Sequence, residues 1–203
     1  MIRNITALMA VMIFFIPLCA CLAKPHPQKN TFLLTAEAPA GPEFPSAKRR
    51  TLLVGTVSAA AGFDNRALVY RIGPDQIQED FYNEFAAPPA RLLADQTAQF
   101  LDRASRHLRV VKTPGLVIAD YGLETYLEEI SGDFTTNPPQ ARLSIRFALS
   151  DLRGASARVL IERTYQCQKP LPGQQPEALV TALGECLAEI LAELNRDMNK
   201  AKL

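Results

Sequence analysis

The chain reads as an α/β protein of the α+β kind: a single mixed, largely antiparallel sheet with two helices packed on one face. Three observations predict this. Several runs alternate apolar and polar residues, most cleanly Leu143, Ile145, Phe147 and Leu149 against Ser144 and Arg146, the pattern of a strand with one buried face. Two longer runs place apolar residues at helical spacing. They are Leu93, Phe100, Leu101, Ala104 and Leu108, and then Leu179, Leu183, Cys186, Leu187, Ile190 and Leu194. Turn-forming Gly, Pro and Asp residues separate the runs.

The first twenty residues read as an export signal. Arg3 supplies a positive charge, and an uncharged, mostly apolar stretch follows from Ile5 to Ala20. Leu18-Cys19-Ala20-Cys21 resembles a bacterial lipobox, in which the final cysteine thiol carries a glyceride. Small Ala20 lets a peptidase reach the bond before Cys21, whereas bulky Leu18 argues against acylation at Cys19. A plain cleaved signal and an uncleaved anchor stay open. For the anchor the apolar run is short, because about 20 residues are needed to cross the bilayer. Leu22 follows the cysteine where an aspartate commonly retains lipoproteins in the inner membrane. The expected address is therefore the periplasmic face of the outer membrane, with inner-membrane retention open.

Residues 21–48 read as the lipidated cysteine and a tether containing Pro25, Pro27, Pro39, Pro42 and Pro45. Proline blocks a helix here and favours an extended chain, so Leu22–Asn30 would span about 28 Å at ~3.1 Å per residue. Thr31-Phe32-Leu33-Leu34 is either an edge strand docked on the sheet or more tether.

The globular domain is expected over 49–203. Thr51–Val57 is an apolar, β-branched run, and Ala67–Ile72 is the next. Gly73-Pro74-Asp75-Gln76 turns the chain back through Ile77–Phe85, making a hairpin. Pro88-Pro89 opens the first helix, where proline is tolerated because the first amides lack partners. Strands over His107–Lys112 and Tyr121–Phe134 follow; in the second, Leu123, Thr125 and Leu127 alternate with Glu124, Tyr126 and Glu128. Arg142–Leu149 turns at Asp151–Gly154 into Ala157–Cys167, whose Val159, Ile161, Tyr165 and Cys167 are expected on one face. A Pro/Gly/Gln loop over Lys169–Pro176 leads to the last helix.

This arrangement puts Cys167 at the end of a core-facing strand row and Cys186 on the core-facing side of a helix. Their sulfurs can meet as one disulfide in an oxidising compartment. Two buried free thiols are the alternative. The cysteines show no zinc-site spacing, and His26 and His107 do not complete one.

Charge excludes some functions. The chain carries 22 basic and 21 acidic residues, and loss of Arg3 with the signal brings the counts level. A nucleic-acid protein would carry a basic excess or stripe. There is no Gly-x-Ser-x-Gly elbow and no phosphate-cradling glycine loop. Glu124, Glu128, Glu129 and Asp133 read as a solvated acidic face. No catalytic constellation, cofactor or metal is expected. Aromatics on charged strands, namely Tyr70, Phe81, Tyr82, Phe85, Tyr121 and Tyr126, point instead to binding. Arg66–Pro89 is the best surface, with Tyr70, Arg71, Phe81, Tyr82 and Phe85 as candidate partner contacts. Two or three of the six rings are expected to be exposed.

Residues along most of this domain resemble the ABC-type transport auxiliary lipoproteins, the lipoprotein component of MCE-type, toluene-tolerance and paraquat-inducible lipid transport systems. The resemblance is carried by Leu53-Val54-Gly55-Thr56-Val57, Val69-Tyr70-Arg71, and Phe81-Tyr82-Asn83-Glu84-Phe85-Ala86-Ala87-Pro88-Pro89. Ala119-Asp120-Tyr121-Gly122-Leu123 and Arg142–Asp151 extend it. Phe85 stands where many members have tryptophan before the paired prolines, and this chain has no tryptophan. The resemblance implies a non-enzymatic outer-membrane accessory that meets an MCE-type substrate-binding protein and, through it, a separate permease and ATPase. A homo-oligomer would suit such a partner. Two rival classes stay open: a structural lipoprotein that binds peptidoglycan or assists outer-membrane assembly, and a small periplasmic hydrolase.

Overall fold

The structure, a computed structural model, describes residues 28–40, 49–112 and 118–201. The signal region, Cys21 and His26 lie outside these residues. The described chain runs β1 (Asn30–Phe32), β2 (Arg50–Ala59), β3 (Ala67–Gly73), β4 (Gln76–Phe85), α1 (Pro89–Ala104), β5 (Leu108–Val111), β6 (Tyr121–Asp133), β7 (Gln140–Asp151), β8 (Arg158–Pro170) and α2 (Pro176–Lys200).

All eight strands form one mixed sheet. The two longest ladders, β6 with β7 and β7 with β8, are antiparallel. On its other edge β6 is shared. Leu52–Val54 and Val57–Ala59 of β2 run parallel to its first half, and Tyr70 and Arg71 of β3 pair with Gly132 and Asp133 at its end. The sheet therefore forks beyond β6. One branch is completed by β5, the other by β4 and then β1. The β3–β4 hairpin is an arm along the second branch, and much of β4 is exposed.

Both helices bury their apolar stripes against the sheet. Helix α1 packs on β2 and β5, α2 on β7 and β8, and the two helices touch each other. Pro89 occupies the first turn of α1, as its missing amide allows. Leu93, Phe100 and Leu101 are buried, as are Leu179, Leu183, Cys186, Leu187, Ile190 and Leu194 from α2. Leu143, Ile145, Phe147 and Leu149 meet them from β7. Leu108, counted on the first helical stripe, belongs instead to β5: the helix ends at Ala104, and Ser105 adopts an extended conformation.

Part of the stretch read as tether is built into the fold. β1 lies parallel to β4 as an edge strand, and beyond it Leu34 and Ala36 are buried. The Ala36 amide donates to Gln96 Oε1 of α1 at 2.9 Å. The Thr35 carbonyl lies over Gly184 of α2, so closely that a Cβ there would collide with it. The segment thus straps both helices.

Val159 departs from its expected position and is 57% exposed. A register shift between Leu149 and Ser150 inserts Leu160 as an extra residue, which reverses side-chain parity at the start of β8.

Candidate functional site

The arm carries the residues that the sequence offers to a partner, and the structure separates them. Phe85 is 1% exposed; it ends β4 opposite Phe32 and belongs to the core, so it is not a surface contact. The tryptophan-like bulk expected before the prolines fills the interior. Tyr70 is half-buried, stacked on Phe134 with ring centroids 4.9 Å apart. Arg71 is also half-buried, donating to the Pro74 carbonyl at 3.0 Å and to Glu129 Oε1 at 3.3 Å. Phe81 and Tyr82 are 62% and 54% exposed. Of the other two rings, Tyr121 is buried and Tyr126 half-buried. Two of the six are therefore prominently exposed.

Asp80, which the sequence reading passed over, sets the shape of this region. Between Val69↔Glu79 and Ala67↔Glu84 the β4 strand carries extra residues, and Asp80 stabilises the resulting bulge. Its Oδ1 accepts from the Tyr82 amide at 2.8 Å and the Asn83 amide at 3.0 Å. Its Oδ2 accepts from the Tyr70 hydroxyl at 2.7 Å and Asn83 Nδ2 at 2.8 Å. Burial pushes the Asp80 carboxyl up, but hydrogen bonds from Tyr70, Asn83 and the two amides outweigh it and hold the group below its usual range. Burial, then Asp80 itself, keeps the Tyr70 hydroxyl protonated far above the normal range for tyrosine. Aspartate that folds back on amides two and three residues ahead is a turn device. The signal was an aspartate inside an otherwise strand-like run.

The bulge turns Phe81 and Tyr82 outward as an edge-to-face pair with centroids 5.1 Å apart. Lys29 Nζ lies 5.3 Å from the Phe81 ring centroid and 3.1 Å from Glu84, which Arg66 also pairs at 2.7 Å. Nearer the hairpin tip, Ile72 and Ile77 are exposed as well.

The remaining candidates are elsewhere. Cys167 and Cys186 are joined as a disulfide between β8 and α2, with S–S 2.02 Å. The acidic run is heavily partnered. Glu128 accepts from Ser144 and Thr164, Glu129 faces Arg71 and Arg142, and buried Asp133 is bound by Arg142 at 2.8 Å. A groove of about 680 Å³ between the N-terminal strap and α2 is lined by Leu33, Glu37, Lys169 and Gly184 among others. A second, of about 480 Å³, lies over the sheet at Ser58, Glu124, Tyr126 and Arg146. Among the described residues no group of three His, Cys, Asp or Glu side chains is placed to hold a metal. None of the described helices is long and apolar enough to cross a membrane.

Fold and site together define a class: a strand-rich α+β domain with an outlying aromatic arm. Comparison then gives its family. Residues 32–195 match the model of the ABC-type transport auxiliary lipoprotein component, and the chain belongs to that family, whose role is of a transport-accessory rather than catalytic kind. A crystal structure of a Xanthomonas campestris protein from the family model DUF330 shares the fold, with TM-score 0.72 and 20% identity over 85% of this chain and 96% of that one. An uncharacterized protein aligns with TM-score 0.69 and 16% identity, covering 84% and 99%. A hypothetical protein from Chlamydia trachomatis reaches 0.50 with 10% identity, covering 75% and 94%. No curated protein matches in sequence.

Proposed function

We propose that the chain is a non-catalytic accessory of an ABC/MCE-type lipid transport system. Acyl chains on Cys21 hold it to the periplasmic face of the outer membrane, where it meets the periplasmic MCE-type substrate-binding protein. The permease and ATPase are separate chains reached through that protein. The observation that carries the reading is the match of residues 32–195 to the ABC-type transport auxiliary lipoprotein component. Cys21 lies seven residues before Gln28, so an anchored thiol keeps the domain within about 25 Å of the bilayer. Family membership supports the transport role.

The test has two parts. Wild-type protein should incorporate labelled palmitate and fractionate with the outer membrane, whereas Cys21→Ser should lose the label and appear in the soluble periplasm. Crosslinking in cells should then recover the MCE component with the wild-type protein. An unlabelled wild type would refute anchoring. Recovery of peptidoglycan without any transport component would establish the structural-lipoprotein alternative.

A further inference from the structure

We infer that the β3–β4 arm is a membrane-contacting element, with Phe81 and Tyr82 resting in the headgroup layer of the bilayer that holds Cys21. The inference rests on the anchoring proposed above and adds an orientation for the whole domain.

The direction of the chain carries it. β1 runs parallel to β4, with Asn30 beside Asn83 and Phe32 beside Phe85. Lys29 and Gln28 therefore lead back along the bulge, in the direction of the hairpin tip. Lys29 marks that path, its ammonium group against the Phe81 ring and on Glu84. Gln28 stands only seven positions after Cys21, a reach of at most about 25 Å. The lipid anchor thus joins the molecule at the pole where Ile72, Ile77, Phe81 and Tyr82 are exposed.

The opposite pole is too distant. β3 is parallel to β6 and pairs with its last residues, so Tyr121 and its neighbour Asp151 lie at the other end. The thirteen residues of β6 span about 40 Å, beyond the reach of the tether. Exposed Leu152 and Val159 belong to that far end.

The arm suits an interface between water and lipid. Aromatic rings with a polar tip favour the headgroup level. Glu84 pairs with both Lys29 and Arg66, so that carboxylate does not meet the headgroups as a lone charge. Asp80 fixes the bulge through four hydrogen bonds, which limits the ordering the rings must undergo on contact.

The chain contains no tryptophan, so one introduced residue is a unique reporter. Phe81→Trp and, at the far pole, Val159→Trp both replace exposed side chains. Each natively processed protein is reconstituted into vesicles of phosphatidylethanolamine with a minority of phosphatidylglycerol, with or without brominated phosphatidylcholine. The expected result is blue-shifted emission from F81W and quenching of about twofold by the brominated lipid, with V159W unaffected. Equal water exposure of the two reporters would overturn the inference. Shielding of F81W only when the periplasmic MCE component is added would also overturn it and assign the arm to a protein partner. If neither protein stays with the vesicles, the anchoring reading fails by itself. The mature chain is then coupled through Cys21 to a maleimide lipid, and the same comparison decides whether the arm meets the membrane.

Discussion

Asp80 shows how one side chain can determine what a strand presents. Its carboxylate takes the place of ladder partners for two bulged amides and receives the Tyr70 hydroxyl. Asp80→Ala removes these acceptors and should cost about 1–3 kcal/mol, read as a lower urea midpoint. Its folded pKa lies below the ordinary value, as does that of Asp133, where burial is outweighed by hydrogen bonds from Thr135 and Arg142. A lowered carboxyl pKa contributes stability that is present above the unfolded value and lost as pH falls through the folded one. The urea midpoint should therefore decline as pH drops from about 5 toward about 2, and the Asp80→Ala midpoint should decline less steeply. Gly184 is the second decisive position. Gly184→Ala drives a Cβ against the Thr35 carbonyl and should destabilise by about 1–3 kcal/mol. Limited proteolysis should then open the strap at residues 33–37, and an unchanged melting temperature would contradict the close approach.

At the scale of elements, the alternation in β7 and the stripe on α2 were legible because each element has a single buried face and an uninterrupted period. Two of the failures have a common cause. Leu160 shifts the parity of β8 and exposes Val159, and the bulge in β4 throws Phe81 and Tyr82 outward while Phe85 returns to the core. Bulges insert a residue without leaving a periodic trace. The Cys167–Cys186 bond joins two correctly placed elements. Unfolded, unreduced protein should therefore offer neither of these cysteines to alkylation. Reduction, or Cys186→Ser, should cost about 3 kcal/mol for a loop of this size, measured by chemical denaturation. The strap is a structural element in its own right: Leu34→Ala should cost about 2–5 kcal/mol by leaving a cavity beneath it, on the same assay.

For the whole molecule, the controlling quantity under the proposed acylation of Cys21 is the distance between that residue and the arm. Lengthening the span from Cys21 to Gln28 about fourfold with glycine and serine should lower the effective concentration of the arm at the bilayer about eightfold. The F81W emission should shift toward that of a water-exposed indole, while the melting temperature stays the same. A reporter that stayed quenched would mean that the arm holds the membrane independently of the tether. The forked sheet matters here because β6 spans the molecule: it sets the arm at one pole and Leu152 and Val159 at the other.

From sequence alone came the α+β class, nearly every strand and helix, the pairing partners for a disulfide and a lipobox-like cysteine ahead of the fold. These depend on local periodicity and on counting residues along the chain. Tertiary structure decided which aromatics face outward, that residues 30–36 strap the helices, and that Lys29 lies against Phe81. Those features depend on bulges and on parallel pairing between distant segments, where contacts remote in sequence determine the direction of a side chain.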